Sequence, residues 1–169
     1  MQSRHGVCRG MRSMAGRLKR EIKQRRPFSS VQEEVVLSIM RTADQVVAPM
    51  NEVLRGAGLS SSQYNILRIL RGSGEEGLPC GEISERMVRR DPDLTRLLDR
   101  LEAAGLVRRE RDTRDRRIVR AMVTDAGLKL LESLDDPVEE TLRRSLAHVP
   151  VARLRALLEL LEEVRPATE

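Results

Sequence analysis

The chain has 169 residues, 34% of them charged, with a formal net charge of +5, one Phe, one Tyr and no Trp. That length suits one domain of ordinary size, and its core must be built from Leu, Val, Ile, Met and Ala, which favours packed helices over a β-sandwich. Two cysteines, Cys8 and Cys80, are too few for a disulfide framework, no apolar run is long enough to span a bilayer, and the basic N-terminus lacks the apolar core of a secretory signal, so a soluble cytoplasmic protein without membrane partners is expected.

Residues 1–27 are basic, low in bulky apolar residues and closed by Pro27. The first dozen or so read as disordered, and Met14 to Gln24 as a short helix with Leu18 and Ile22 four apart. Ser30-Val31-Gln32-Glu33 is a capping box, in which the Ser oxygen and the Glu carboxylate each satisfy a helix-end amide. Val35, Ile39, Ala43, Val46, Met50 and Val53 follow at helical spacing, and the helix is expected to kink at Pro49 and end at Gly56–Gly58. Ser60 opens the next helix with Gln63 at the capping-box position and Leu59 and Tyr64 as a hydrophobic staple. Gly72, Gly74 and Gly77 end it in a loop, and Leu78-Pro79 suits a short extended piece. Cys80 stands at an N-cap position before a short helix from Gly81 to Val88 that buries Ile83 and Met87.

Asp91 then caps a new helix with Pro92 at its first position. Leu94, Leu97, Leu98 and Leu101 recur at i, i+3, i+4 and i+7, so they form the inner face and leave Thr95, Arg96, Asp99 and Arg100 facing outward together. Gly105 is a left-handed stop. Leu106–Arg111 and Arg117–Val123 read as strands joined by Asp112-Thr113-Arg114-Asp115-Arg116, and Thr124 caps a helix striped with Leu128, Leu131, Leu134, Val138 and Leu142 and expected to kink at Pro137. Pro150 starts a final leucine-rich helix through about Val164. The fold class is mostly α with a small β-wing: a winged helix-turn-helix between long N- and C-terminal helices, whose surplus leucines suit pairing across a two-fold axis.

Charge is unevenly placed. Residues 1–26 carry nine Lys and Arg against one acidic residue, and residues 86–120 carry twelve Arg against seven, while residues 27–85 and 121–169 each balance at −4. Two basic blocks on an acidic body suit a polyanion partner; a solvated, salt-bridged surface is the bland alternative.

The pattern resembles the MarR family of bacterial winged-helix regulators. The matching runs are Leu59-Ser60-Ser61-Ser62-Gln63, then Pro92-Asp93-Leu94-Thr95-Arg96-Leu97-Leu98-Asp99-Arg100-Leu101-Glu102, then Gly105-Leu106-Val107-Arg108-Arg109. The wing Asp112-Thr113-Arg114-Asp115-Arg116-Arg117 and the closing Val123-Thr124-Asp125-Ala126-Gly127 complete it, over roughly residues 30–165. The resemblance implies a homodimer on palindromic double-stranded DNA, with recognition helices in successive major grooves, usually a repressor released by a small molecule or by cysteine oxidation. Dimerisation helices are expected at 28–58 and 125–169 and a DNA-binding lobe at 59–124, as one intertwined domain, while the basic, partly disordered extension at 1–27 is not part of the family pattern.

Arg96 and Arg100 suit guanine edges or phosphate, and Thr95 a thymine methyl or phosphate; on the bland alternative Asp99 simply pairs with Arg96 on a solvated face. At the wing, the resemblance implies that Asp115 orients Arg117, which reaches the minor groove, with Arg114 and Arg116 as further phosphate contacts. Ser84 and Arg86 on the preceding helix touch the backbone or are ordinary exposed polar residues. Cys80 at a helix N-terminus either has a lowered pKa suited to redox sensing or is simply a small cap residue. His5 and His148 are isolated, and no metal cluster, catalytic motif or Gly-rich phosphate loop occurs, so no enzyme mechanism and no cofactor are expected. The competing readings are a winged-helix protein–protein assembly module and an architectural DNA binder without sequence preference. The extension, at +8 over residues 1–26, is expected to place a mobile basic tail at 1–13 and to dock through Leu18 and Ile22.

Overall fold

The computed structural model describes residues 16–89, 91–112 and 115–166. The chain divides into two compact units, Met1–Gln45 and Val46–Glu169. Thr113, Arg114 and residues 1–15, with Cys8, His5 and the basic tail, lie outside the described residues.

In the first unit, helix α1 (Arg17–Glu21) is shorter than the expected Met14–Gln24. Its end has a local cause. Lys23 takes a left-handed φ of 53°, which lets the Gln24 N–H reach back to the Lys19 carbonyl at 2.9 Å and closes the helix. Leu18 is buried, whereas Ile22 is 40% exposed, so the two expected anchors differ. Glu21 accepts from Arg17 at 2.6 Å and faces Arg41 of the next helix at 3.8 Å. Helix α2 (Val31–Gly56) begins here and ends in the second unit. Ser30 Oγ accepts the Glu33 N–H as expected, but the Glu33 carboxylate takes the N–H and Oγ of Ser29 instead of the Ser30 amide. Those two bonds hold the Glu33 carboxyl below the ordinary glutamate range. The helix runs on through Pro49.

The second unit is organised on helix α3 (Ser61–Gly72). Its start is the reciprocal box expected of Ser60 and Gln63, with bonds of 3.2 and 2.9 Å, and the Leu59–Tyr64 staple is buried. Ile66, Leu67 and Leu70 are fully buried at the centre of the core. Strand β1 (Leu78–Pro79), helix α4 (Cys80–Arg86), helix α5 (Leu94–Ala103) and strands β2 (Val107–Arg111) and β3 (Val119–Val123) follow. The antiparallel sheet has the order β1-β3-β2, with Leu78 opposite Ala121 and Val107 opposite Val123. Helix α6 (Asp125–Leu146) is capped by Thr124 and passes through Pro137, burying Leu131, Leu134 and Val138 against α3. Arg71 of α3 grips Asp135 of α6 through two bonds of 2.7 and 3.0 Å, which raises the guanidinium's pKa and lowers the carboxyl's. Helix α7 (Val151–Val164) buries none of its residues, and Leu158 is 61% exposed.

Gly127 is where α6 meets the hairpin root. A Cβ there would lie 2.4 Å from the Leu106 carbonyl oxygen, which already accepts the Thr124 N–H at 3.0 Å. An alanine gains about 1 kcal/mol of helix propensity, but overpacking against fixed backbone costs about 1–3 kcal/mol, so the clash wins. Gly127→Ala is therefore expected to lower the melting temperature by roughly 5 °C. A thermal melt of the DNA-free protein checks this, and an unchanged midpoint would show that the α6–hairpin contact yields without cost.

Candidate nucleic-acid interface

Two helices and a hairpin make the interface. Helix α4 ends at Arg86, two residues before the expected Val88, because Met87 turns to extended backbone (ψ 134°) and buries its side chain in the core. Asn65 Oδ1 of α3 accepts the Val88 N–H at 2.9 Å, fixing the departing chain. Asp91 does not cap α5. Its Oδ1 accepts the Asp93 N–H at 3.0 Å and its Oδ2 accepts from Ser62 Oγ of α3 at 3.2 Å. This local turn outcompetes helix entry, so α5 starts at Leu94 with Pro92 left in the turn.

The expected faces of α5 are observed. Leu98 and Leu101 are buried, Leu94 and Leu97 pack on the core, and Thr95, Arg96, Asp99 and Arg100 are all exposed. The pairing of their charges differs from the expectation. Arg96 faces Asp93 at 3.2 Å, an exposed pair worth at most about 1 kcal/mol that leaves its guanidinium easily redirected. Asp99 instead meets Arg109 of β2 at 2.6 Å. Arg109 also bonds Glu102 with its Nη2 at 2.5 Å, its Nε at 2.9 Å and its backbone N–H at 3.1 Å. The Arg109 bond holds the Glu102 carboxyl below its usual range, and Glu102 in turn raises the Arg109 guanidinium. One half-buried arginine thus fastens the recognition helix to the wing.

At the wing tip, Asp112 donates its N–H to the Ile118 carbonyl and Asp115 accepts the Ile118 N–H, each at 2.9 Å. Asp115 Oδ1 accepts the backbone N–H of Arg117 at 2.9 Å, so the aspartate sets the arginine's main chain. Arg116 and Arg117 are exposed and form no ion pair among the described residues, as does Arg100 on α5. Arg114 lies outside the described residues. Arg120, opposite Glu110 near the loop end of the hairpin, donates to the Glu76 carbonyl at 3.2 Å and faces Asp112 at 3.6 Å. On α4, Ser84 is half-buried, and Arg86 is exposed and paired with Glu82.

Cys80 is the first helical residue of α4, with Pro79 as the cap, and burial pushes its thiol pKa up, against the nearby charge of Arg109. Redox sensing would need the opposite shift; here desolvation outweighs the cation. Among the described residues, no group of three His, Cys, Asp or Glu is placed to hold a metal, and no helix is long and apolar enough to cross a membrane. The struts Asn65, Ser62 and Arg109 carry no expectation from the sequence. Only the last left a signal, since Asp99 and Glu102 are three apart on a helix that leads directly into the Arg109 strand.

A helix-turn-helix with an arginine-tipped hairpin defines a winged-helix DNA-binding protein. The MarR family model matches residues 59–119. The transcriptional regulator FarR of Neisseria gonorrhoeae is 28% identical over 68% of this chain and 77% of its own, and the uncharacterised regulator YfiV of Bacillus subtilis is 32% identical over 66% and 68%. A MarR transcription factor of Planctomyces limnophilus, solved as a crystal structure, is 40% identical with a TM-score of 0.62, over 82% of this chain and 100% of that one. More distant structures share the fold, among them MepR of S. aureus (20%, TM-score 0.67, over 74% of this chain and 91% of that one) and CouR of Rhodococcus jostii (22%, TM-score 0.68, over 84% and 100%). The chain belongs to the MarR family and is a transcriptional regulator.

Because Glu102's pKa is lowered on folding, its contribution to stability is full above the ordinary glutamate range and fades as the pH falls through the lowered value. Glu102→Gln is expected to melt below the wild type at neutral pH, with the gap closing in acid as the native carboxyl is protonated. Melting curves over a pH series decide this; a gap that stays constant into acid would assign Glu102 a role unrelated to its charge.

Proposed function

We propose that the chain acts as a cytoplasmic homodimer that reads a palindromic double-stranded DNA operator and represses until a small-molecule effector releases it. One observation carries the reading. The exposed cations Arg96 and Arg100 on α5 and Arg116 and Arg117 on the wing belong to elements locked together by Arg109, so they meet DNA as one rigid set. Arg96, Arg100 and Thr95 enter the major groove, where arginine forks onto guanine O6 and N7. Arg117, with its backbone held by Asp115, enters the minor groove, and Arg116 and Arg114 neutralise phosphates. Ser84 and Arg86 approach the backbone beside them. Asp99, engaged by Arg109, positions the helix and does not itself read bases.

Residues 59–124 form the DNA lobe, and residues 28–58 and 125–169 pair with a second copy. The exposed Val35, Val36 and Met40 of α2 and Leu157, Leu158 and Leu160 of α7 support that pairing, since so much bare apolar surface is relieved by a partner. The basic segment at 1–27 adds sequence-independent attraction to DNA. Within the family, MepR has been solved in complex with DNA and CouR bound to p-coumaroyl-CoA, which supports DNA and effector binding by one scaffold.

Arg96→Ala is expected to lose about 1–3 kcal/mol of specific affinity and to relax preference at one position of each half-site. Arg117→Ala is expected to weaken binding with the melting temperature unchanged, because its exposed side chain adds nothing to the core. Binding to duplexes selected from a randomised pool, alongside melts, tests both; an Arg96→Ala protein with wild-type affinity contradicts the assignment. Light scattering should give a dimer, and footprints should show half-sites about 10 base pairs apart. A monomer at micromolar concentration is the opposing result.

A further inference from the structure

Val88 is 93% exposed, the barest large apolar side chain among the described residues. Isolated apolar residues on a surface are ordinary, but this one is held in place. Met87 before it is buried and extended, which throws the next side chain to the opposite side. The Val88 amide is bonded to Asn65, and Asp91, before α5, is bonded to Ser62. Both struts rise from α3, whose neighbouring Ile66 and Leu67 are fully buried. Val88 is therefore held by its backbone and presented beside the exposed Arg89, with Asp91 anchored to the same helix further on. A β-branched side chain has few rotamers to lose, so binding it costs little entropy. The only apolar group on a major-groove edge is the thymine C5-methyl.

We infer that Val88 is a specificity-determining residue that packs on the thymine methyl of one base pair in each half-site, at the entrance to the recognition helix. The inference rests on the DNA-reading function proposed above and names a contact within it.

The test uses the full chain and the duplex it selects from a randomised library, remade with deoxyuridine at each thymine in turn. For the wild type, uracil at one position per half-site should weaken binding roughly three- to tenfold, as expected for losing one buried methyl. Val88→Ala and Val88→Ser, which both lose the two γ-methyls, should bind the parent duplex more weakly, the alanine by a similar factor, and should be indifferent to uracil at that position alone. Their melting temperatures should equal the wild type's, since the native side chain is bare. Variants that bind as tightly as the wild type with the same uracil profile overturn the inference while leaving the Arg96 assignment standing. Variants weakened equally on thymine and uracil at every position also overturn it, because Val88 then contacts something other than a methyl. If the wild type selects no DNA at all, the functional reading fails and this inference falls with it.

Discussion

The guanidinium of Arg109 is the constraint on which the DNA-facing surface depends. On the proposed function α5 and the wing address different grooves, so their separation must be set before DNA arrives. The covalent link between them is short, from Ala104 through Gly105 to Leu106, with Gly105 at a left-handed φ of 71°. A glycine turn fixes the direction of exit but leaves the twist of the hairpin adjustable. Arg109 removes that freedom by bonding two carboxylates one helical turn apart while its own strand bonds β3. Its charge-assisted bonds are stronger than an exposed ion pair because the arginine is only 23% exposed. The same contact halves the negative charge that Asp99 and Glu102 would otherwise present on this face.

Helix α3 is the second fixed element, and it works on two sides. Its apolar stripe of Ile66, Leu67 and Leu70 is the centre of the core. Its polar positions Ser62, Asn65 and Arg71 bond, in turn, Asp91, the Val88 amide and Asp135 of α6. Val88 and Asp91, on the way into α5, are thus tied to the most deeply buried helix, and so is α6. A displacement of α3 along its axis would strain all three bonds together.

Features with local causes were legible in the sequence. The Ser60–Gln63 box, the Leu59–Tyr64 staple, the Thr124 cap and the left-handed Gly105 each follow from residues within a few positions of one another. The leucine period of α5 likewise exposed Thr95, Arg96, Asp99 and Arg100 without any tertiary knowledge. The errors share one origin, competition from a partner that spacing alone does not reveal. Asp91 had two uses open to it, a helix cap or a turn tied to Ser62, and the second depends on where α3 lies. Glu33 chose Ser29 over Ser30 because two donors on one residue outweigh one. For Cys80 the sequence leaves a lowered pKa and a plain small residue side by side, and only the burial of its thiol separates them. The pairing of Asp99 with Arg109 required the register of the hairpin against the helix, which no single-strand pattern carries.

The aliphatic core has an optical consequence. With no Trp, absorption and emission on the long-wavelength side of the weak phenylalanine band come from Tyr64 alone in each chain. That ring is buried in the staple at the start of α3, with the Arg68 guanidinium 5.9 Å from its centre. Each chain therefore carries one tyrosine chromophore, seated at the start of the helix to which Val88 and Asp91 are tied. Emission and dichroism in the tyrosine band report on that one place in the fold, with no tryptophan to mask it and no label to introduce.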